Sequence, residues 1–240
     1  NVRRHFPQRL PSRILSEREF LIMHSYDIET AAKLAEASYS AKSHPSVKPE
    51  IKISLDKYDV EAHLLKNGVL LIPGSNSLMD YARYNLRVLN LGGKRYRMSD
   101  EGTEKGASGT TWHQGFLAHA KVIYDWLEDR NETPKFIIGH SLGAAATQIL
   151  SKSWHVPGIG FAAPRPRRYA GRIKYDDLCL CINRNDDTVC ALPTSFHHMG
   201  KVVSCHHLSF PFAMKHAMKH YRDAVDEQQA AGKLQKSWPS

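Results

Sequence analysis

KFIIGHSLGAAATQIL, residues 135–150, is the stretch on which the reading of this 240-residue chain turns. Four residues ending in an apolar run lead into Gly139-His140-Ser141-Leu142-Gly143, and an alanine-rich segment of helical character follows. A Gly-x-Ser-x-Gly turn between strand and helix lifts a serine hydroxyl above the sheet edge. The flanking glycines have a steric reason, since side chains there would crowd the turn. Taken alone, Ser141 reads either as a nucleophile or as a serine in an ordinary tight turn, and the pentapeptide does not decide between them.

A nucleophilic serine needs a base, and the base needs an orienting carboxylate. Downstream, the strand-like LCLCIN runs into RNDDTVCALP, which places Asp186 and Asp187 at the C-terminal end of a strand, where α/β sites assemble. The apolar KVVS then runs into Cys205-His206-His207. Serine, acid and histidine therefore occur in the order of the α/β-hydrolases.

The surrounding pattern is consistent with that class. DIETAAKLAEASY predicts a helix to about Tyr39 with Asp27 as its N-cap. The alternation across EIKISLDKYDVEAHLLKNGVLLIPG predicts strands, with Asn67-Gly68 as a hairpin turn. Ser77 to Leu89 has helical character, the passage on to Thr111 reads as loop or irregular strand, and Gly115 to Arg130 is an amphipathic helix. GIGFAAP and LCLCIN add further strands, and Pro211 to Gly232 reads as mostly helix. Alternating strands and helices imply parallel strands joined by crossovers. The expected fold is a mostly parallel central sheet flanked by helices, formed as one domain over 1–240. Residues 1–18 form an extended basic arm, and 211–240 a C-terminal helix and tail.

From about Tyr26 to His220 the chain resembles the class 3 lipases, the fungal triacylglycerol lipase-like family of α/β-hydrolases. GHSLG resembles that family's serine pentapeptide, FAAPRP (161–166) its F-G-x-P-R segment, and TWHQGF (111–116) its H-x-G-F lead into a helix. The resemblance implies Ser141 as nucleophile. DTVCALP matches the family's D-I-V-P-x-L-P and implies Asp187, rather than Asp186, as the triad acid. HLSF matches its H-L-S-Y and implies His207 as general base, with His206 as the alternative and His198 a less fitting one. The acid-to-base spacing is shorter than in fungal relatives, as though residues were deleted between KVV and SCHH. Pro73-Gly74-Ser75 resembles the family's R-G-T/S, with proline in place of arginine, and implies Ser75 as one oxyanion donor beside the backbone N–H of Leu142. The helix over Leu78, Tyr81 and Leu86 falls where the family carries a lid, or else is a fixed helix packed on the core.

The expected activity is cleavage of carboxylic esters through an acyl-enzyme, of the triacylglycerol lipase type, with phospholipase A1 or short-chain esterase as alternatives. No cofactor or metal is required. The partner is a lipid or other ester, with room for peripheral contact with a lipid interface. A reading of another class is a non-catalytic module that binds anionic membrane or nucleic acid.

Composition sets the outer limits. With 42% apolar and 24% charged residues the chain falls in the ordinary globular range. The net charge of +9 is concentrated in Arg3, Arg4, Arg9 and Arg13, and again in Arg165, Arg167, Arg168, Arg172 and Lys174. Without interleaved aromatic residues these clusters read as solvated faces, and nucleic acid is not an expected partner. The opening residues lack a methionine and the apolar core of a secretory signal, so a trimmed form and a cytoplasmic setting are expected. Cys179 and Cys181 share a strand face as buried thiols, and a Cys190–Cys205 bridge stays open. His197, His198, His206, His207, His216 and His220 lack a matching metal-ligand constellation, and His216 and His220 read as exposed helix residues.

Overall fold

The computed structural model describes residues 25–57, 59–75, 102–205 and 216–239, together with the backbone of 88–91 and 94–97. The predicted N-terminal arm, both His206 and His207, and the lid positions Leu78, Tyr81 and Leu86 lie outside the described residues.

Seven strands form the central sheet in the order in which they occur along the chain: β1 (Ile51–Lys57), β2 (Val60–Leu65), β3 (Val69–Ile72), β4 (Phe136–His140), β5 (Gly158–Phe161), β6 (Cys179–Arg184) and β7 (Lys201–Cys205). β1, β2 and β3 form an antiparallel meander. Gly68 makes the predicted hairpin turn with φ +88°, and the Asn67 side chain accepts from the Val69 amide. From β3 onward every neighbouring pair is parallel, with Leu71 beside Ile138 and Phe161 beside both His140 and Ile182. The C-terminal ends of β3, β4 and β6 therefore open on one edge of the sheet, which is where such sheets assemble their sites.

Alternation along the strands sends side chains to two cores. Leu70, Ile72 and Ile137 face α2 (Gln114–Glu128) and α3 (Leu142–Trp154). Leu71, Ile138, Ile159 and Ile182 face α1 (Ile28–Ala37) and α4 (Met218–Ala230). Asp27 caps α1 as predicted, its side chain accepting from the Thr30 amide at 2.7 Å.

α3 is buried on every side from Leu142 to Lys152, and its polar Thr147 and Gln148 side chains are satisfied there by the carbonyls of Gly143, and of Ala144 and Pro164. Its small residues meet the glycines of β5. A Cβ on Gly160 would stand 3.0 Å from that of Ala144, and one on Gly158 would stand 2.8 Å from Thr147 Cγ2. The pairing of GIGF with an alanine-rich helix lets α3 lie close against the sheet, which fixes the height of the residue at its N-terminus.

Several expectations change. Val88–Leu91 is a strand paired with Lys94–Arg97, so the predicted helix does not extend to Leu89; Gly92-Gly93 between two β-prone runs is a hairpin signal. The second basic cluster is only partly a solvated face. Arg167 is buried, bridges Trp112 and His197 in backbone pairing, and donates to the carbonyls of Gly171 and His198, while Arg168 donates to Ser195. The tail beyond α4 returns to the body, where Ser237–Trp238 pairs with Tyr26–Asp27 and the Trp238 indole donates to the Leu178 carbonyl. All four cysteines are buried and free, so Cys190 and Cys205 are not bridged. Among the described residues no helix is long and apolar enough to cross a membrane.

Candidate active site

Ser141 stands between β4 and α3 with φ 58° and ψ −120°. A non-glycine residue in such a conformation costs on the order of 1–3 kcal/mol and persists only where its surroundings hold it. The Ser141 amide donates to the Phe161 carbonyl at 2.9 Å, and its own carbonyl accepts from the Ala144 and Ala145 amides. Both glycines of the pentapeptide are needed for close approach. A Cβ on Gly139 would overlap the Gly143 carbonyl and the Thr147 hydroxyl, and one on Gly143 would collide with the carbonyl of Ile72.

The FAAPRP, TWHQGF and GHSLG segments converge on this turn. Ala162 takes φ 52° immediately after the carbonyl that holds Ser141. Gln148 of α3 donates to the Pro164 carbonyl, and the His113 amide, at the start of α2, donates to that of Pro166.

Asp187 follows β6 and caps a short turn, Oδ1 accepting from the Val189 amide at 3.0 Å. Its Oδ2 accepts from the Tyr221 hydroxyl at 2.7 Å and lies 2.7 Å from Nδ1 of His216. Burial alone would raise the Asp187 pKa, but donation from His216, Tyr221 and Val189 outweighs it and holds the carboxylate below its usual value. Asp186 points elsewhere, its two oxygens taking Nε and a terminal nitrogen of Arg184 at 3.1 and 3.0 Å.

The imidazole that reaches Ser141 belongs to His216, whose Nε2 lies 2.7 Å from Ser141 Oγ. This corrects two expectations. His216 is not an exposed helix residue: it is buried and precedes the first turn of α4. The place given to His207 beside Asp187 and Ser141 is filled by His216. The short spacing from Asp187 to His207 was the signal in the sequence, since the histidine that meets Asp187 lies 29 positions beyond it. His198 sits apart, with Nε2 2.8 Å from the Ala163 carbonyl and a pKa brought down to about 4, first by burial.

The partners fix the direction of each proton. A carboxylate only accepts, so Nδ1 of His216 carries the hydrogen and Nε2 presents its lone pair to the serine hydroxyl. Tyr221, in α4, is a site residue without a motif to mark it. Its hydroxyl donates to Asp187, accepts from the Arg184 amide at 3.3 Å and meets the Cys190 thiol at 3.2 Å.

The Pro73-Gly74-Ser75 loop leaves β3 beside Ser141, where a Cβ on Gly74 would come within 2.8 Å of Ser141 Cβ. Leu142 is the first residue of α3, so its N–H is among those that a helix N-terminus leaves without intrahelical acceptors. Among the described residues no cluster of three or more potential metal ligands occurs.

A mostly parallel sheet flanked by helices, with a strained serine turn after a central strand, defines an α/β-hydrolase fold. No family model and no curated protein matches the chain. Similar solved structures include a fungal lipase–inhibitor complex reported as a model for interfacial activation in lipases, at 15% identity over 74% of this chain and 78% of that one, TM-score 0.48. The Lip2 lipase of Yarrowia lipolytica is similar at 14% identity over 77% and 78%, TM-score 0.44. A triacylglycerol lipase from Penicillium expansum is similar at 14% identity over 80% of each chain, TM-score 0.41.

Proposed function

We propose that this protein hydrolyses carboxylic esters through an acyl-enzyme on Ser141. The observation that carries the reading is the unbroken line from Asp187 through His216 to Ser141 Oγ, each gap 2.7 Å. His216 Nε2 takes the hydroxyl proton as Oγ attacks the ester carbonyl, and Asp187 stabilises the imidazolium that forms. The oxyanion is met by the Leu142 amide at the helix N-terminus and by Ser75 from the loop after β3. His216 then returns the proton to the leaving alcohol, and water cleaves the acyl-enzyme by the same route. Every step uses side chains and backbone of this chain.

The lipid-ester reading, with a substrate of the triacylglycerol type, draws on the family resemblance of GHSLG, FAAPRP and DTVCALP. The test is a panel of p-nitrophenyl and glyceryl esters of graded acyl length, phospholipid included, run with wild type and Ser141→Ala, alongside mass analysis after treatment with a serine-directed phosphonate. Turnover abolished by the substitution and an adduct at Ser141 are expected. Activity that survives Ser141→Ala sinks the mechanism. Maximal rate on short soluble monomers, with no gain at an interface, assigns an esterase instead of a lipase.

A further inference from the structure

Two residues outside the acid–base–nucleophile line are joined to both of its sides. The Gly74 amide donates to the Tyr39 hydroxyl at 3.0 Å, Tyr39 Oη lies 2.5 Å from Nδ1 of His140, and Nε2 of His140 lies 3.0 Å from the backbone carbonyl of His216. The directions are forced. A carbonyl only accepts, so His140 carries its hydrogen on Nε2. Nδ1 must then accept from the Tyr39 hydroxyl, whose oxygen in turn receives the Gly74 N–H. The chain runs one way, from the loop after β3 to the main chain of His216, with each donor matched to an acceptor.

We propose that Tyr39 and His140 are positioning residues that hold the oxyanion-side loop and the base in register with Ser141. The proposal rests on the catalytic reading of Ser141, His216 and Ser75 given above. Three features support it. His140 is the residue before the nucleophile, buried at the end of β4, so its ring cannot move without moving the turn. Burial, and then the neighbouring His216, bring the His140 pKa down to about 3, so its ring remains a one-donor, one-acceptor link. Tyr39 occupies the Gly74 amide, which removes that N–H from the oxyanion's donors and orients the peptide that leads to Ser75. Ester hydrolysis on a serine requires donors set at the position where the oxyanion will form, and the Tyr39–Gly74 contact adds a fixed point to the loop that leads there.

Tyr39→Phe is a mild test, because it removes one oxygen from a residue that is 42% exposed. On a short-chain p-nitrophenyl ester, kcat is expected to fall by about 10- to 100-fold with KM within about threefold, because the contact matters once the oxyanion forms. A trifluoromethyl ketone, which forms a tetrahedral adduct on serine, should bind Tyr39→Phe more weakly by a similar factor, with the melting temperature little changed. His140→Leu should lose activity as well, and the double variant should be no worse than the weaker single variant, since both break one chain. Should His140→Leu not fold, Tyr39→Phe decides alone. Wild-type kcat in Tyr39→Phe, or a loss carried entirely by KM, overturns the proposal while phosphonate labelling of wild-type Ser141 keeps the catalytic reading intact. Absence of labelling in the wild type overturns both.

Discussion

Nε2 of His216 lies 2.7 Å from Oγ of Ser141 across 75 positions of sequence, and the two residues are set by unlike means. Ser141 is fixed by the sheet, through β4 and the Phe161 carbonyl. His216 stands just ahead of α4 and is held by Asp187 at Nδ1 and by His140 at its carbonyl.

The first prediction separates two histidines that the sequence alone confuses. His216→Ala should lower kcat by at least about 1,000-fold, the scale seen when one member of such a catalytic unit is removed. His207→Ala should stay within about threefold of wild type by the same comparison. Steady-state ester hydrolysis by the two purified variants is sufficient, and the reverse ranking would restore His207 as the base.

Tyr221 supplies one of three donors to a buried carboxylate. Hydrogen bonds to charged groups contribute about 1.5–3 kcal/mol, so Tyr221→Phe should lower kcat by roughly 10-fold or somewhat more. Asp187 gains stability from being ionised when folded, a contribution present above its unfolded pKa and lost as the pH falls through the folded one. Removal of a donor raises the folded value, so melts taken at descending pH should show acid destabilisation starting earlier in Tyr221→Phe than in wild type.

Acid should also unfold the protein through its histidines. Burial is the leading cause that brings His63 and His119 down to about 4 and His140 to about 3, and all three are at most 2% exposed. In the unfolded chain they protonate near the ordinary value of about 6.5. Their folded pKa values are depressed, so stability is full above about pH 6.5 and declines as the pH falls toward 4. At pH 5 each costs on the order of 2 kcal/mol, together a large share of the roughly 5–15 kcal/mol that an ordinary domain has. Urea midpoints measured from pH 8 to pH 4.5 should fall steeply below pH 6.5; a flat profile would refute neutral burial.

Gly143→Ala isolates steric contact from backbone freedom. A Cβ there meets the main-chain carbonyl of Ile72, which cannot swing aside. A cost of about 3 kcal/mol or more is expected, a drop of about 6–12 °C in melting temperature at this chain length. Gly171, at φ +94° with nothing within 4 Å of a Cβ, is the control. Its alanine variant bears only the backbone term, of about 1 kcal/mol.

The sheet was legible because periodicity reports burial. Residues 51–72 alternate and form a meander, and FIIGH, GIGF and LCLCIN are continuous apolar runs buried on both faces. The serine turn was legible because its glycines answer a local steric demand. The histidine beside Ser141 was not, since His216 lies ahead of α4 with no motif to mark it, and the local likeness of HLSF outweighed the spacing. Tyr39, His140 and Tyr221 were hidden for a related reason. Each acts through a hydroxyl or ring nitrogen whose partner is distant in sequence, while its immediate neighbours look like ordinary helix or strand. Arg167 was read as solvated because its charge suggested water, whereas its buried guanidinium donates to the carbonyls of Gly171 and His198.

The missing side chain at Gly143 has an effect beyond the turn. With no Cβ there, α3 rests directly on the end of β3, so the spacing between the helix that follows Ser141 and the loop carrying Ser75 is set by main chain meeting main chain. A gauge built from backbone does not depend on which residues coat the outside. Helix surfaces and peripheral loops can therefore be extensively rewritten by an engineer, and the distance between the two elements should hold for as long as position 143 carries only hydrogen.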